Sequence, residues 1–164
     1  MPDNIGVLGV NPCSLADGLG VRKVIYIGGC THKCPGCQNE DSHSDLGDML
    51  PIDFVVSELL NNPLVDITIS GGDGLTTQYE ATLELLKRLK AKSDKNIWFY
   101  TGYTFEQLLD SKKKEVLNYI DVLVDGRFER DKRDITLKFR GSSNQNIINV
   151  KQSLAINRKV LYDI

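Results

Sequence analysis

The chain has 164 residues, of which 41% are hydrophobic and 26% are charged, a composition that is ordinary for one globular domain with its own core. Its 20 Lys and Arg residues against 22 Asp and Glu residues give a net charge of -2, so no basic excess indicates nucleic acid or an anionic membrane as the partner. No apolar run approaches the roughly 18 residues that a membrane span needs, and acidic Asp3 is unlike the start of a secretion signal. We therefore expect a cytoplasmic protein that binds neither nucleic acid nor membrane.

Turn-forming residues dominate the start of the chain, and they predict an N-terminal loop region over residues 1–20 with at most a short strand near residues 5–10. Strands and helices alternate after this point. Strands are predicted at residues 21–27, 66–70, 97–100 and 121–124, and helices at residues 51–60, 79–90 and 104–109, with a further helical turn at 113–119. Thr104 and Gln107 form a capping-box pattern at the start of the helix over residues 104–109.

The pattern weakens towards the end of the chain. Residues 127–134 are a charge-dense loop, residues 135–139 and 146–150 are strand candidates, and residues 141–145 have turn chemistry. The alternation before this region is typical of βαβ units, which form a parallel sheet and predict the α/β class. A full eight-unit barrel needs roughly 250 residues, so we predict a partial, open parallel β/α barrel in a single domain over residues 1–164.

Three of the four cysteines fall in one Gly- and Pro-containing segment, residues 28–39, directly after the first clear strand. Cys30, Cys34 and Cys37 have the spacing C-x3-C-x2-C. Thiolates are soft ligands that suit iron-sulfur clusters, Zn and Cu(I), and ligands of α/β sheets collect where strands end. A four-iron cluster usually takes four cysteines, so three of them predict one iron that is open to an external ligand.

A structural zinc site is the main alternative, because a fourth ligand to the three thiols is available in principle. The candidates are His32, His43 and Cys13. Cys13 is more typical of a surface or half-buried thiol, and His32 is more typical of a loop residue or of a hydrogen-bond donor beside the site.

A second motif follows the next strand. Gly71-Gly72-Asp73-Gly74 is weak evidence alone, and it is not a Walker-type phosphate loop because no Gly-Lys-Ser/Thr follows. Its interest is its position, since parallel strands would place it on the same side as the cysteines. Three charged residues further along, Asp125, Arg127 and Arg140, are expected to form ion pairs on a polar surface.

The cysteine loop after a strand resembles that of the radical S-adenosylmethionine enzymes, for which the C-x3-C-x2-C spacing is the specific feature. A longer series of matches, over roughly residues 17–145, resembles the activating proteins of anaerobic ribonucleoside-triphosphate reductase. The matching segments are Asp17-Gly18-Leu19-Gly20-x-Arg22, residues 29–39, Ser70-Gly71-Gly72-Asp73, Tyr100-Thr101-Gly102, Asp125-Gly126-Arg127-Phe128 and residues 140–145. The chain departs from the usual pattern at Gly74, where Pro is frequent, and at Gln38, where an aromatic residue is frequent.

This resemblance implies a barrel of the radical S-adenosylmethionine type in which Cys30, Cys34 and Cys37 hold a 4Fe-4S cluster. The amino and carboxylate groups of S-adenosylmethionine would chelate the fourth iron, with Asp73 accepting from the ammonium group. The implied cofactor-binding residues are Gly36, Gln38, Gly71, Gly72 and Asp73. No catalytic side chain is implied beyond the cluster and the bound S-adenosylmethionine.

The implied activity is one-electron cleavage of S-adenosylmethionine to methionine and a 5'-deoxyadenosyl radical. That radical would take hydrogen from a glycine Cα of anaerobic ribonucleoside-triphosphate reductase, and a flavodoxin-type protein would supply the electron. Two alternatives stay open. The chain could activate another glycyl-radical enzyme, such as pyruvate formate-lyase, or it could be a structural zinc-binding module without catalysis.

Overall fold

The computed structural model describes residues 2–37 and 43–164 and confirms the α/β class. The strands of this part of the chain are β1 (Asn4–Ser14), β2 (Arg22–Ile27), β3 (Asp48–Pro51), β4 (Asp66–Gly71), β5 (Ile97–Tyr100), β6 (Val122–Asp125) and β7 (Asn146–Asn149). Its helices are α1 (Ile52–Leu60), α2 (Gly74–Thr77), α3 (Tyr79–Lys92), α4 (Phe105–Leu109) and α5 (Val150–Ile156), with 3-10 helices at Lys112–Tyr119 and Arg130–Lys132.

The strands form one sheet in the order β3-β1-β2-β4-β5-β6-β7. The four central strands, β2, β4, β5 and β6, pair in parallel. Antiparallel pairing flanks them, since β1 pairs antiparallel with β2 and β3, and β7 pairs antiparallel with β6. Because β3 and β7 are the two edges, the sheet is open as predicted, and it is parallel at its centre only. The assignment to a partial β/α barrel stays a prediction.

Alternation along β5 shows how the two faces of the sheet differ. Ile97 and Phe99 point into the larger apolar core, which contains the buried faces of α1 and α3. Trp98 points to the other face, where its ring packs edge-on against Phe139 and Tyr162 at centroid distances of 5.3 and 5.7 Å. Helices therefore cover one face, whereas segments from the last third of the chain cover the other.

Arg22 is a buried cation on this second face of the sheet, and only 2% of its surface is exposed. Its guanidinium donates to Thr68 Oγ1 at 2.8 Å, to the Leu19 carbonyl at 2.8 Å and to Asn96 Oδ1 at 2.9 Å, and it lies 5.5 Å from the centre of the Trp98 ring. Burial lowers the pKa of Arg22, and the nearby Asp66 opposes that shift. Arg22 therefore links β2 to β4 and to the residue before β5.

The short strand expected near residues 5–10 is confirmed, but β1 is longer and occupies Asn4–Ser14, so the loop expected around it is wrong for these further residues. Gly6, Gly9 and Pro12 hide the strand pattern in the sequence. Hydrogen-bonded neighbours on both sides stabilise β1 nevertheless, and register shifts in its pairing with β2 accommodate the irregular residues.

The strand predicted at residues 135–139 is also wrong, since these residues form turns and bends. Ile135 is 86% exposed, and Phe139 has a left-handed backbone with a φ of 64°. The short elements β3, α2 and α5 were not predicted.

In the part of the chain that the structure describes, no helix is both long enough and apolar enough to cross a membrane.

Candidate metal centre

The carboxyl ends of three neighbouring parallel strands meet at one edge of the sheet. The cysteine loop follows β2, the segment Gly71–Asp73 ends β4, and Thr101 follows β5. The register pairs Ile27 at the end of β2 with Gly71 at the end of β4. This confirms the expectation that the two sequence motifs lie on the same side.

The three thiols of the C-x3-C-x2-C segment line one cavity of about 130 Å³ at this edge. Cys30 is buried, with 8% of its surface exposed, and Cys34 and Cys37 are half-buried. The other residues of the cavity wall are His32, His43, Ser70, Gly71, Gly72, Asp73, Tyr100, Thr101, Gly102, Val124, Gly126, Arg127, Phe128 and Gln145. The structure thus places Gly71, Gly72 and Asp73 around the same cavity as the three predicted ligands.

All four cysteines lie in the described part of the chain, and none of them is in a disulfide. Cys13 is exposed on β1 and is not among the residues of the cavity wall, which agrees with its prediction as a surface thiol. Within residues 2–37 and 43–164, no group of three His, Cys, Asp or Glu side chains is arranged to hold one metal ion. Three soft thiol donors around a shared cavity fit the chemistry of an iron-sulfur cluster.

Burial raises the pKa of the Cys30 thiol, and the nearby charge of Asp73 acts in the same direction. Hydrogen bonds from the backbone near His32 and Lys33 act the opposite way, since they favour the thiolate. A metal centre that binds here must displace the thiol proton, because only the thiolate is a ligand.

Gly72 brings the end of β4 against the backbone of the cysteine loop. A Cβ at this position would lie 2.3 Å from the carbonyl oxygen of Gly29. Next to this contact, the Asp73 N–H donates to the same Gly29 carbonyl at 2.8 Å. Gly71 has a φ of 101°, a conformation that favours glycine. Both glycines therefore fix how the two loops meet.

Asp73 is 2% exposed and is surrounded by donors from the protein itself. Its Oδ2 accepts from Thr101 Oγ1 at 2.7 Å, from the Gly102 N–H at 2.9 Å and from His32 at 2.8 Å. Its Oδ1 accepts from the Leu75 N–H at 3.1 Å, which caps α2. These hydrogen bonds compensate the cost of burying the carboxylate charge.

Two predicted cofactor residues lie on the cysteine loop itself. Gly36 has a φ of 73°, and the guanidinium of Arg130 lies over it, with Nε 2.9 Å from where a Cβ would be. The Cys37 N–H closes a turn by donating to the Cys34 carbonyl at 3.1 Å. Gln38 lies outside the described residues.

Comparison with known proteins agrees with this geometry. A family model described as a 4Fe-4S single cluster domain matches residues 16–148. The anaerobic ribonucleoside-triphosphate reductase-activating protein of Pasteurella multocida is 39% identical over 151 residues, which cover 86% of this chain and 95% of that protein. The proteins of the same name from Haemophilus influenzae and Enterobacteria phage T4 are 38% and 36% identical, over 82% and 84% of this chain and 91% and 90% of their own lengths.

The chain belongs to this family of anaerobic ribonucleoside-triphosphate reductase-activating proteins. The resemblance inferred from the motifs is thereby confirmed.

In this family member a second cavity, of about 380 Å³, adjoins the first. The two share five wall residues: Cys37, Ser70, Tyr100, Phe128 and Gln145. The second cavity is further lined by Phe139, Arg133 and Arg140, from the loop between β6 and β7. The cysteine loop therefore faces a continuous cleft that is larger than the thiol cavity alone.

The sequence reasoning did not single out Tyr100 and Phe128 as site residues, although both lie in segments that match the family. Tyr100 ends β5, and its hydroxyl donates to the Phe139 carbonyl at 2.6 Å, which holds the loop between β6 and β7 against the sheet. The signal that could have identified them is their place in the chain, since Tyr100 ends β5 and Phe128 lies shortly after the end of β6.

Asp125 was expected to form an ion pair on a polar surface, and for this residue the expectation is wrong in part. It is 1% exposed and accepts from the Phe105 N–H at 2.8 Å and the Asn146 N–H at 3.1 Å, while Lys159 Nζ stays 3.8 Å away. Arg140 donates to the Gln145 carbonyl at 2.5 Å, and its buried Nε has no partner in the described residues. Asp125 is therefore a structural acceptor that joins α4 and β7 to β6.

Proposed function

We propose that this chain generates a glycyl radical on anaerobic ribonucleoside-triphosphate reductase by reductive cleavage of S-adenosylmethionine at a 4Fe-4S cluster. One observation carries the proposal. Cys30, Cys34 and Cys37 line the same cavity as the end of β4, in a chain whose relatives are named for activating this reductase.

In the proposed site the thiolates of Cys30, Cys34 and Cys37 would hold the cluster, with three protein ligands where four are usual. When bound, the cluster would supply the electron for reductive cleavage of S-adenosylmethionine to methionine, and a glycine Cα of the reductase would give up the hydrogen that is found in the second product, 5'-deoxyadenosine. A flavodoxin-type protein is the proposed source of that electron. The chain itself supplies orientation and a sheltered cavity for this chemistry.

The end of β4 is proposed to hold the methionine part of S-adenosylmethionine. Asp73 Oδ2 already accepts three hydrogen bonds, whereas Oδ1 accepts one, from Leu75. A carboxylate oxygen has room for a second donor, so Oδ1 is the proposed acceptor for the ammonium group. Gly71, Gly72, Gly36 and Gln38 are proposed to bring backbone and amide groups to the same ligand.

The second cavity is proposed to hold the nucleoside part beside the cluster. Its shared wall with the thiol cavity supports this, since Tyr100 and Phe128 offer aromatic surface to both. The same arrangement supports assignment of the open sheet to the partial barrels of the radical S-adenosylmethionine type, with the cysteine loop after the first of four parallel strands.

The test is anaerobic reconstitution with iron and sulfide, followed by visible absorption, metal analysis and assay of 5'-deoxyadenosine after reduction with S-adenosylmethionine. We expect about four irons and four sulfides per chain and release of 5'-deoxyadenosine. Cys34→Ala should abolish both results, and Cys13→Ala is the matched control that should preserve them. A colourless protein that holds one zinc per chain would contradict the proposal.

A further inference from the structure

We propose that His32 is a positioning residue: its hydrogen bond to Asp73 holds the cysteine loop against the ends of β4 and β5 before any metal centre is bound. This inference rests on the proposed function, because the loop is taken to hold a cluster. The contact between His32 and Asp73 is observed independently of that function. It also gives Asp73 a role within the protein, in addition to the proposed ligand contact.

His32 lies between the predicted ligands Cys30 and Cys34, yet its side chain is directed into the protein. That side chain is 4% exposed, and its Nε2 lies 2.8 Å from Asp73 Oδ2, whose own side chain is 3% exposed. With the carboxylate as the acceptor, the tautomer that fits this contact carries its hydrogen on Nε2, which donates a hydrogen bond to Asp73 Oδ2. His32 Nε2 is therefore already paired with Asp73 within the protein.

The imidazole ring is also held by close packing. A Cβ at Gly102 would lie 2.4 Å from His32 Cδ2, so the ring occupies the space that a side chain at Gly102 would need. On another side, the Tyr103 ring meets the imidazole edge-on at a centroid distance of 4.7 Å. Position and orientation of the ring are thus fixed by the segment that follows β5.

Asp73 is the point at which three separate loops meet. It comes after β4, it accepts from Thr101 and Gly102 after β5, and it accepts from His32 after β2. A second contact reinforces the attachment, since the Thr31 N–H donates to Thr76 Oγ1 at 3.2 Å. The loop that carries the three thiols is therefore tied to the sheet through a buried, charge-assisted hydrogen bond.

If this attachment sets the loop, its removal should expose Cys30 in the protein without a cluster. The experiment measures the rate at which iodoacetamide alkylates each cysteine in the reduced, metal-free full chain, by mass spectrometry. Exposed Cys13 on β1 is the internal reference. His32→Leu keeps apolar bulk but removes the donor, and it should raise the Cys30 rate relative to Cys13 by about tenfold or more.

His32→Gln supplies the rescue, because its amide N–H can reach Asp73, and its Cys30 rate should stay within about twofold of the original protein. Gly102→Ala tests the same contact with His32 intact, since the new methyl group must push the ring aside, and it should raise the Cys30 rate. Gly9→Ala is the matched control, because a Cβ there meets nothing within 4 Å. Equal Cys30 rates in the original protein, His32→Leu and Gly102→Ala would overturn the proposal.

Iron and sulfide content after reconstitution separates this inference from the proposed function. The rate at which a chelator removes the cluster is compared between the two variants. Faster removal from His32→Leu than from His32→Gln supports the positioning role. If the original protein takes up no cluster while Cys30 alkylation still follows the expected order, the proposed function fails and the attachment stands. If a cluster forms and the alkylation rates do not change, the positioning role alone fails.

Discussion

Replacing Gly72 with alanine tests how closely the end of β4 must approach the cysteine loop. The added Cβ would lie 2.3 Å from the Gly29 carbonyl oxygen, and such contacts essentially never fall below 3.0 Å. The two backbones must therefore separate by at least 0.7 Å, the difference between 3.0 and 2.3 Å. Both groups are backbone, so no side-chain rotation can relieve the contact. The hydrogen bond from the Asp73 N–H to Gly29 lies beside this contact and should lengthen with it.

Overpacking of this kind costs about 1–3 kcal/mol, which corresponds to a fall of about 2–12 °C in the melting temperature of a domain of this size. The displaced cysteine loop should cost far more in activity, because a shift near 1 Å in a reacting geometry can lower a rate by about 100-fold. We therefore expect Gly72→Ala to fold and to form 5'-deoxyadenosine about 100 times more slowly after reconstitution.

Gly9→Ala makes the same chemical change where a Cβ meets nothing within 4 Å, and it should match the original protein in both assays. If Gly72→Ala forms 5'-deoxyadenosine at the original rate, the close approach to Gly29 is not needed for activity. If Gly9→Ala loses as much activity as Gly72→Ala does, the loss does not depend on the contact with Gly29.

The remaining predictions concern the face of the sheet that carries the site. Arg22→Met leaves several buried acceptors without a donor and should cost about 3–5 kcal/mol, or about 6–20 °C in melting temperature. Lys132→Met removes only an exposed ion pair with Glu129 and should cost under about 1 kcal/mol. Equal melting temperatures for these two variants would contradict the buried role of Arg22. Tyr100→Phe removes the hydrogen bond to the Phe139 carbonyl and should speed proteolytic cleavage of the loop between β6 and β7. Tyr79→Phe loses an exposed hydrogen bond to a backbone carbonyl and should not change the rate of this cleavage. An unchanged cleavage rate in Tyr100→Phe would show that the bond to Phe139 does not hold the loop.

The central strands could be predicted because their sequences carry the signal locally. β2, β4, β5 and β6 are short runs of apolar and β-branched residues that end at Gly, Asp or Thr, and each is found within about two residues of its predicted bounds. The capping box at Thr104 and Gln107 is confirmed with both of its hydrogen bonds, since it too is a local pattern.

Elements that depend on distant partners could not be predicted in this way. β1 contains Gly6, Gly9 and Pro12 and is a strand because β2 and β3 pair with it on both sides. Conversely, residues 135–139 alternate like a strand, but no strand of the described part of the chain pairs with them. Phe139 has a left-handed backbone instead, and its carbonyl accepts from the Tyr100 hydroxyl. Pairing between strands, rather than propensity, decided both cases.

For the site, the positions of the motifs could be predicted from the sequence, but the contacts between residues distant in sequence could not. The order of the motifs placed the three cysteines and the Gly71–Asp73 segment at one edge of the sheet, and the structure confirms that they share a cavity. The donors to Asp73 could not be foreseen, since His32 and Thr101 are 41 and 28 residues away in sequence and meet it only through the fold. The metal-binding roles of the three cysteines and the cofactor-binding roles of Gly36, Gln38 and Gly71–Asp73 stay predictions.

Electron paramagnetic resonance is the most direct test of the proposed function. The sample is the reduced, reconstituted protein mixed with anaerobic ribonucleoside-triphosphate reductase and S-adenosylmethionine. We expect a glycyl radical signal on the reductase that requires S-adenosylmethionine and persists with Cys13→Ala. We expect no such signal with alanine in place of Cys30, Cys34 or Cys37. The proposed function is wrong if one of these three variants forms the glycyl radical equally well, or if a protein that carries its full complement of iron and sulfide forms none.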